Sequence, residues 1–291
     1  MIITQSSLAC FQRCRAAYKL RYIDGIVPVE KSRALAFGSA MHRALEVYWD
    51  MLESGETPTL TDTGLDDPFE AAKLEGLFAG YCRRWLELDR AFYSVVSVEQ
   101  EFNVPSRNQA LPKVSLMGKV DAVVQDKESG KYYILEHKTA SIVDDDYVAQ
   151  KSLDSQTRLY ALAISHTLEI PIAGAIHDII TKQKIRQKKG ESDSDFIERL
   201  KADVTDDNFA RIRIDFADGE LDLFARELDD QVRDVAECEC WYKCTGSCIG
   251  RYGACEYLHL CRAGGMDMAT PDIRELYETR RAHEELESAV E

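Results

Sequence analysis

The most constraining stretch of this chain is Gly118-Lys119-Val120-Asp121 followed by Tyr133-Ile134-Leu135-Glu136-His137-Lys138-Thr139. It sets an Asp on one apolar strand and a Glu-x-Lys on the next. Alternate side chains of a strand share a face, so Glu136 and Lys138 point together and His137 points away. Between the arms, Asp126-Lys127-Glu128-Ser129-Gly130 is a polar turn that folds them into a hairpin, and Asp121 can then approach Glu136 across the ladder. Val120, Val123 and Val124 on one arm and Tyr132 to Leu135 on the other read as buried strands. Charged side chains at the end of such strands are costly unless paired or used. A salt bridge absorbs Lys138 and one carboxylate but leaves the other unexplained. Two carboxylates beside an ammonium suit Mg²⁺ or Mn²⁺ and the hydrolysis of a phosphodiester, with Lys138 orienting water and offsetting charge on the phosphate. No covalent nucleophile accompanies them, so direct attack by water is the expected route.

The chain has nine Cys, of which six are Cys238, Cys240, Cys244, Cys248, Cys255 and Cys261. No N-terminal stretch resembles a signal peptide and no apolar run approaches membrane-spanning length, so a reducing, cytoplasmic setting without membrane attachment is expected. There, clustered thiols bind metal more often than they form disulfides. The Gly-rich run from Cys248 through Cys255 to Cys261 suits a loop wrapped around a cluster, with Cys14 as the fourth ligand. Zinc held by Cys244, Cys248, Cys255 and Cys261 is the competing reading. Cys82 reads as a buried free thiol.

Taken in order, these motifs resemble the RecB-type branch of the PD-(D/E)XK nucleases, in particular its iron–sulfur group, which includes the CRISPR-adaptation nuclease, the AddB nuclease domain and related phage and mitochondrial exonucleases. Ser6-x-Leu8-x-x-Phe11-x-x-Cys14-x-x-x-Tyr18 resembles the first cysteine motif, and Phe37-Gly38-x-x-x-His42 the helical His motif. Glu101 stands in the place of the early Glu, Gly118-x-x-Asp121 and Glu136-His137-Lys138 match the core, and Gln156-x-x-x-Tyr160 matches the following helix. Cys248, Cys255 and Cys261 resemble the closing cysteine motif. Two departures stand out: Arg15 follows Cys14 where Pro is frequent, and Cys248 lies seven positions before Cys255 where a C-x-x-C pair is usual. Cys244 and Cys248 therefore compete for one ligand position, with Cys248 preferred, while Cys238 and Cys240 near Trp241 are spectators.

The resemblance implies a [4Fe-4S] cluster on Cys14, Cys248, Cys255 and Cys261, and a catalytic Mg²⁺ or Mn²⁺ on Asp121 and Glu136. It adds His42 through a ring nitrogen and His137 through its backbone carbonyl to the metal, and puts Gln156 and Tyr160, four apart on one helical face, beside Lys138 or the nucleic-acid backbone. Without it, His42 reads as a packed helix histidine and Gln156 with Tyr160 as a surface pair; Glu101 is either near the metal or a structural partner. The cluster would be structural, closing a loop of roughly 230 residues and so constraining the unfolded chain by several kcal/mol.

Helical patterns cover 6–24, 34–54, 69–91, 146–168 and 218–237, with a charged helix from Pro271 onward. Strands run from 95 to 139, over 173–181 and around 211–216, and an exposed loop spans 53–68. The expected fold is α/β: a restriction-endonuclease-like mixed sheet flanked by helices, with a helical N-terminal lobe and a C-terminal cysteine loop closing the iron–sulfur site. It is expected to be one domain over 1–291, divided into a lobe (1–94), a nuclease core (95–237) and the cysteine loop with its helix (238–291).

Lys plus Arg number 36 against 51 Asp plus Glu, a net charge of −15, which disfavours general nucleic-acid binding. The cations are nonetheless grouped: Lys182, Lys184, Arg186, Lys188 and Lys189 in one block, Arg13, Arg15, Lys19 and Arg21 in another. Acid gathers in 62–70, 191–207 and the tail. A basic channel for single-stranded DNA, with Tyr18 and Tyr22 for base stacking, is one expectation, and a solvated lysine loop at 182–189 the other. The leading function is a metal-dependent DNA exonuclease acting on single strands or ends, in recombination, repair, phage replication or CRISPR adaptation. A non-cleaving DNA-end-binding module of a larger complex and a zinc-stabilised scaffold are the alternatives. No Gly-x-x-x-x-Gly-Lys-Ser/Thr string occurs, so unwinding would fall to a helicase or recombination partner.

Overall fold

The computed structural model describes residues 1–30, 33–107, 111–140, 142–250 and 253–283. In chain order the elements are β1 (Ile2–Ile3), α1 (Gln5–Arg13), α2 (Arg15–Tyr18), β2 (Ile26–Pro28), α3 (Arg33–Asp50), α4 (Pro68–Phe92), β3 (Tyr93–Pro105), β4 (Ser115–Asp126) and β5 (Tyr132–Ala140). They continue with α5 (Asp145–Ser152), α6 (Ser155–Leu168), β6 (Ile172–Thr181), α7 (Asp193–Ala202), β7 (Phe209–Asp215), α8 (Glu220–Ala236), β8 (Ile249–Gly250), β9 (Gly253–Ala254), α9 (Leu258–Ala263), α10 (Pro271–Arg274) and β10 (Tyr277–Thr279). Two compact units emerge: residues 1–31, 103–118 and 223–291 form one, and residues 32–102 and 119–222 the other. The helices α3 and α4 thus share a unit with the sheet, and 103–118 groups with the terminal segments.

The second unit is a mixed sheet flanked by helices. β4 runs antiparallel to β5, β5 parallel to β6, and β6 antiparallel to β7; β3 also pairs with β4. Period-2 alternation sends Ala122, Val124, Tyr133, Leu135, Ile176 and Ile180 to one face, where they pack with Phe37, Met41, Tyr48 and Trp49 of α3 and Leu74, Phe78 and Tyr81 of α4. The opposite face carries Val123, Ile134 and Glu136 toward α6. Asp67 caps α4 through the amides of Phe69 and Glu70, with Pro68 at the first helical position. Gly80 of α4 is required by close packing: a Cβ there would lie 2.5 Å from Val204 Cγ1.

One row of side chains on the α3–α4 face is polar. Asp178 of β6 stands in register with His137 on β5 and with Arg211 on β7. The Arg211 guanidinium donates to Asp178 (Nε–Oδ1 2.7 Å) and also pairs with Asp89 of α4. Tyr81 donates to Asp178, Tyr48 donates to Asp89 at 2.8 Å, and Arg211 lies 4.2 Å from the Trp85 ring centroid. Asp89 and Asp178 are fully buried, so the cation between them offsets two desolvated carboxylates.

In the first unit, β1 pairs parallel with the start of β4, β10 pairs antiparallel with β2, and β8 with β9. Four expectations are corrected here and in the sheet unit. The helix over 6–24 is broken at Cys14, whose extended backbone (φ −163°, ψ 113°) ends α1 and begins α2; a π-helical turn, Lys19–Ile23, follows. The helix over 146–168 is two, because Asp154 accepts the Gln156 amide and starts α6 afresh. The charged C-terminal helix is confined to the short α10, followed by β10; its continuation past 283 lies outside the described residues. Tyr18 is not presented for base stacking: it is buried, edge-on to Phe11 and stacked at 5.9 Å on Trp241, with Tyr22 tilted against it. Among the described residues no helix is long and apolar enough to cross a membrane.

Because Arg211 is the shared counter-charge of two buried carboxylates, Arg211→Ala is expected to cost about 3–5 kcal/mol in chemical denaturation. Lys201→Ala, which removes an exposed pair with Glu75, should cost less than about 1 kcal/mol. Equal midpoints for the two variants would remove the polar row as a determinant of the fold.

Candidate active site

The β4–β5 register carries Ala122 opposite Leu135, so Asp121 comes next to Glu136 at the strand ends. Asp121 Oδ2 accepts the backbone N–H of His137 at 2.6 Å, and Oδ1 lies 2.9 Å from His42 Nδ1 on α3. Lys138 donates to Glu136 Oε2 at 3.0 Å. From α6, Gln156 Nε2 donates to the same Oε2 and to the Tyr160 hydroxyl, each at 3.1 Å. Asp121, Glu136, Lys138, His42, Gln156 and Tyr160 are thus brought to one place. His137 contributes its backbone; its ring is turned into the core, near Trp49 and Tyr81, 3.7 Å from Asp178.

The electrostatics follow from burial and these bonds. Burial, reinforced by the Asp121 charge, raises Glu136 to about 7 despite Lys138. Asp121 is opposed by burial too, yet the hydrogen bond and charge of His42, with His137 and Lys138, draw it down to about 2. Lys138 is raised, as Glu136 and Asp121 outweigh its desolvation, and His42 is raised by Asp121 in the same way. Burial depresses the His137 ring to about 4. Glu136 Oε1 has no hydrogen-bond partner although the residue is only 2% exposed. A buried carboxylate oxygen without a donor, beside a second carboxylate and an imidazole, is the donor set of a hard or borderline divalent cation. Among the described residues, however, no three His, Cys, Asp or Glu side chains converge as a metal-holding group; His42, the His137 amide, Lys138 and Gln156 occupy the other carboxylate oxygens.

A cavity of about 730 Å³ opens beside Asp121, lined by Gly38, His42, Glu46, Glu99, Lys119 and Thr139 among others. Glu99, rather than Glu101, is the acidic residue of β3 that reaches it, paired with Lys119. Glu99 has φ +49°, a left-handed residue inside a strand, which breaks the alternation that makes 99 and 101 equivalent. That departure has no signature in the sequence. Glu46 was legible in principle, one helical turn after His42, and Lys119 two residues before Asp121 on the strand. His177, fully buried in register with Glu136 and depressed to about 4 by burial, also escaped the sequence reading.

The thiols gather in the first unit. β8 and β9 form a two-residue-arm hairpin whose ends are Cys248 and Cys255, joined by Cys255 N–H donating to the Cys248 carbonyl at 2.8 Å. The seven-residue spacing therefore closes in space. Cys261 lies on α9, and Cys14, Cys248 and Cys255 all act on its charge. At the break between α1 and α2, the Cys14 sulfur accepts the Cys244 amide at 3.4 Å, and burial there is outweighed by backbone N–H groups of Cys244, Ala17 and Ala16 that lower its pKa. Cys238 Sγ instead donates to the Cys240 carbonyl at 3.4 Å, and Cys82 is a buried thiol of α4.

A mixed sheet with an Asp and a Glu-x-Lys at the ends of adjacent strands defines a class, and residues 2–262 match the model of the PD-(D/E)XK nuclease superfamily. The chain belongs to that superfamily. Its fold resembles a crystal structure titled "Putative exonuclease" from Eubacterium rectale, with a TM-score of 0.50 at 16% identity over 94% of this chain and 92% of that one. A structure titled SSO0001 overlaps 50% of this chain and 60% of its own at 13% identity with a TM-score of 0.27, too low to support inference. No curated protein matches the chain.

Proposed function

We propose that the chain is a metal-dependent DNA exonuclease of the RecB type, acting on single strands or DNA ends, with an iron–sulfur cluster in the unit that holds both terminal segments. The observation that carries the reading is Glu136: a buried carboxylate with one oxygen unpartnered, paired with Lys138 and next to Asp121, which lines an open cavity. Asp121, Glu136, the His42 ring and the His137 carbonyl would hold Mg²⁺ or Mn²⁺. When bound, such an ion activates water and polarises the scissile phosphate. Lys138, tethered to Glu136, stands ready to orient water and to offset charge on the transferring phosphate. Gln156 fixes the Glu136 carboxylate and Tyr160 fixes Gln156, so both act by positioning. A thiol grouping with amides donating to sulfur suits a [4Fe-4S] cluster on Cys14, Cys248, Cys255 and Cys261. It would tie a break in the first helix to the C-terminal hairpin and serve stability.

Cleavage of 5′- and 3′-labelled single strands in Mn²⁺ tests the first part. Lys138→Ala is expected to lose about 10²–10³-fold in rate and Asp121→Ala more, both with unchanged circular dichroism. An inert wild type that still binds the strands would favour the non-cleaving module instead. For the second part, anaerobically purified protein should be brown, and Cys248→Ser or Cys261→Ser colourless, while Cys244→Ser keeps its colour. Stoichiometric zinc in a colourless wild type would sink the cluster, and loss of colour in Cys244→Ser would transfer that ligand position to Cys244.

A further inference from the structure

The block Lys182–Lys189 leaves β6 at the catalytic end of the sheet. β5 and β6 are parallel, with Lys138 in register with Ile179 and Ala140 with Thr181, so the segments after both strands emerge side by side. Lys182 makes the join: its ammonium lies 3.7 Å from the Phe37 ring centroid and 3.1 Å from Glu70. Phe37 immediately precedes Gly38, which lines the cavity beside Asp121.

The segment is held in shape. Gln183 Nε2 donates to the carbonyls of Lys73 and Leu200 at 3.3 and 3.2 Å. Arg199 donates to the Arg186 carbonyl at 2.8 Å, and the Lys188 amide to Glu191 at 2.7 Å. The acids nearest in sequence are occupied: Glu191 by Arg199, Asp193 by Gln187, Asp195 by Ser192, and Glu198 by Lys201. Lys184, Arg186, Lys188 and Lys189 are exposed and, among the described residues, form no ion pair. Three of the four cations of the other basic block are used internally. Lys19 pairs with Asp24, Arg21 with Glu256, and Arg15 covers the rings of Phe11 and Tyr242.

Four exposed cations in six residues, outside any ion pair among the described residues and on a pinned segment at the catalytic edge of a chain of net charge −15, are placed to hold a polyanion. We propose that Lys184, Arg186, Lys188 and Lys189 form the track along which the phosphates of a DNA single strand run as it enters the cavity at Asp121. The proposal takes the nuclease reading of that cavity as its destination. Such a track touches only the backbone of the strand, so it is indifferent to sequence and its strength falls with salt. Because the segment is already fixed, little ordering opposes binding.

The test uses the full chain with Ca²⁺ in place of Mn²⁺ and a fluorescein-labelled thymidine oligonucleotide, read by anisotropy over a salt series. A Lys184→Ala, Arg186→Ala, Lys188→Ala, Lys189→Ala variant should bind about tenfold or more weakly, with the slope of log K against log salt reduced by about 0.7 for each phosphate no longer neutralised. A Lys184→Arg, Lys188→Arg, Lys189→Arg variant should restore both. Hydrolysis of bis(p-nitrophenyl) phosphate in Mn²⁺, which is too small to reach the track, should match wild type in either variant. Unchanged affinity and slope in the alanine variant, or a wild type that does not bind the oligonucleotide, overturns the track. Wild-type binding that depends on these residues without any hydrolysis leaves the track standing and removes the nuclease reading alone.

Discussion

The burial of charge at the ends of β4 and β5 is the constraint on which the rest of the sheet unit depends. Burying a carboxylate beyond the reach of water is unfavourable unless donors replace the water. Each face of the sheet answers this differently. On the α6 face Glu136 takes Lys138 and Gln156 for one oxygen and nothing for the other. On the α3–α4 face Asp178 takes Arg211 and Tyr81 in full. One row is saturated and gives rigidity; the other is left incomplete, which is how a site differs chemically from a structural ion pair. The His137 backbone ties them together, since its amide holds Asp121 while its ring packs beside Asp178.

What was legible in the sequence is what depends on short-range periodicity. The hairpin, the shared face of Glu136 and Lys138, and the i, i+4 pairing of Gln156 with Tyr160 each follow from local spacing, and the structure has those geometries. The buried row was not legible, because Asp89, Asp178 and Arg211 lie on three separate elements and meet only through strand register and helix packing. Glu99 was missed for a different reason: a single left-handed residue changes which of two glutamates faces the cavity, and no residue preference announces it. Tyr18 shows the reverse error. An aromatic on a basic helix reads as exposed, but Cys14 breaks that helix and turns Tyr18 under Trp241.

The cysteine spacing makes a related point about reading motifs as distances along the chain. A close C-x-x-C pair and the separated Cys248 and Cys255 look unlike each other in sequence. A β-hairpin with arms at 249–250 and 253–254 makes its flanking residues neighbours, and the backbone bond between them fixes the approach. What a thiol grouping requires is proximity of sulfurs and donors for their charge. A tight turn and a two-stranded excursion can each bring the backbones that carry two cysteines together, as the hairpin does for Cys248 and Cys255. The Cys14 sulfur has the backbone amides of Cys244, Ala17 and Ala16 directed at it, and they lower its pKa against the effect of burial.

Charge distribution completes the argument, because the net value alone misleads. A chain with 51 acidic residues against 36 basic ones should repel DNA at long range. Attraction at close range depends on which charges remain uncancelled near the reacting centre, since exposed charges farther off than a Debye length of about 8 Å are screened. Several acids of this unit are partnered, Glu99 by Lys119, Glu70 by Lys73 and Lys182, and Glu191 by Arg199, while Glu46 of the cavity lining acts on both Glu99 and Lys119. The exposed cations at 184, 186, 188 and 189 lie outside any ion pair among the described residues. With Lys184, Arg186, Lys188 and Lys189 receiving the strand as proposed, the acidic exterior would discourage adsorption along duplexes while leaving capture of a strand at the cavity mouth intact.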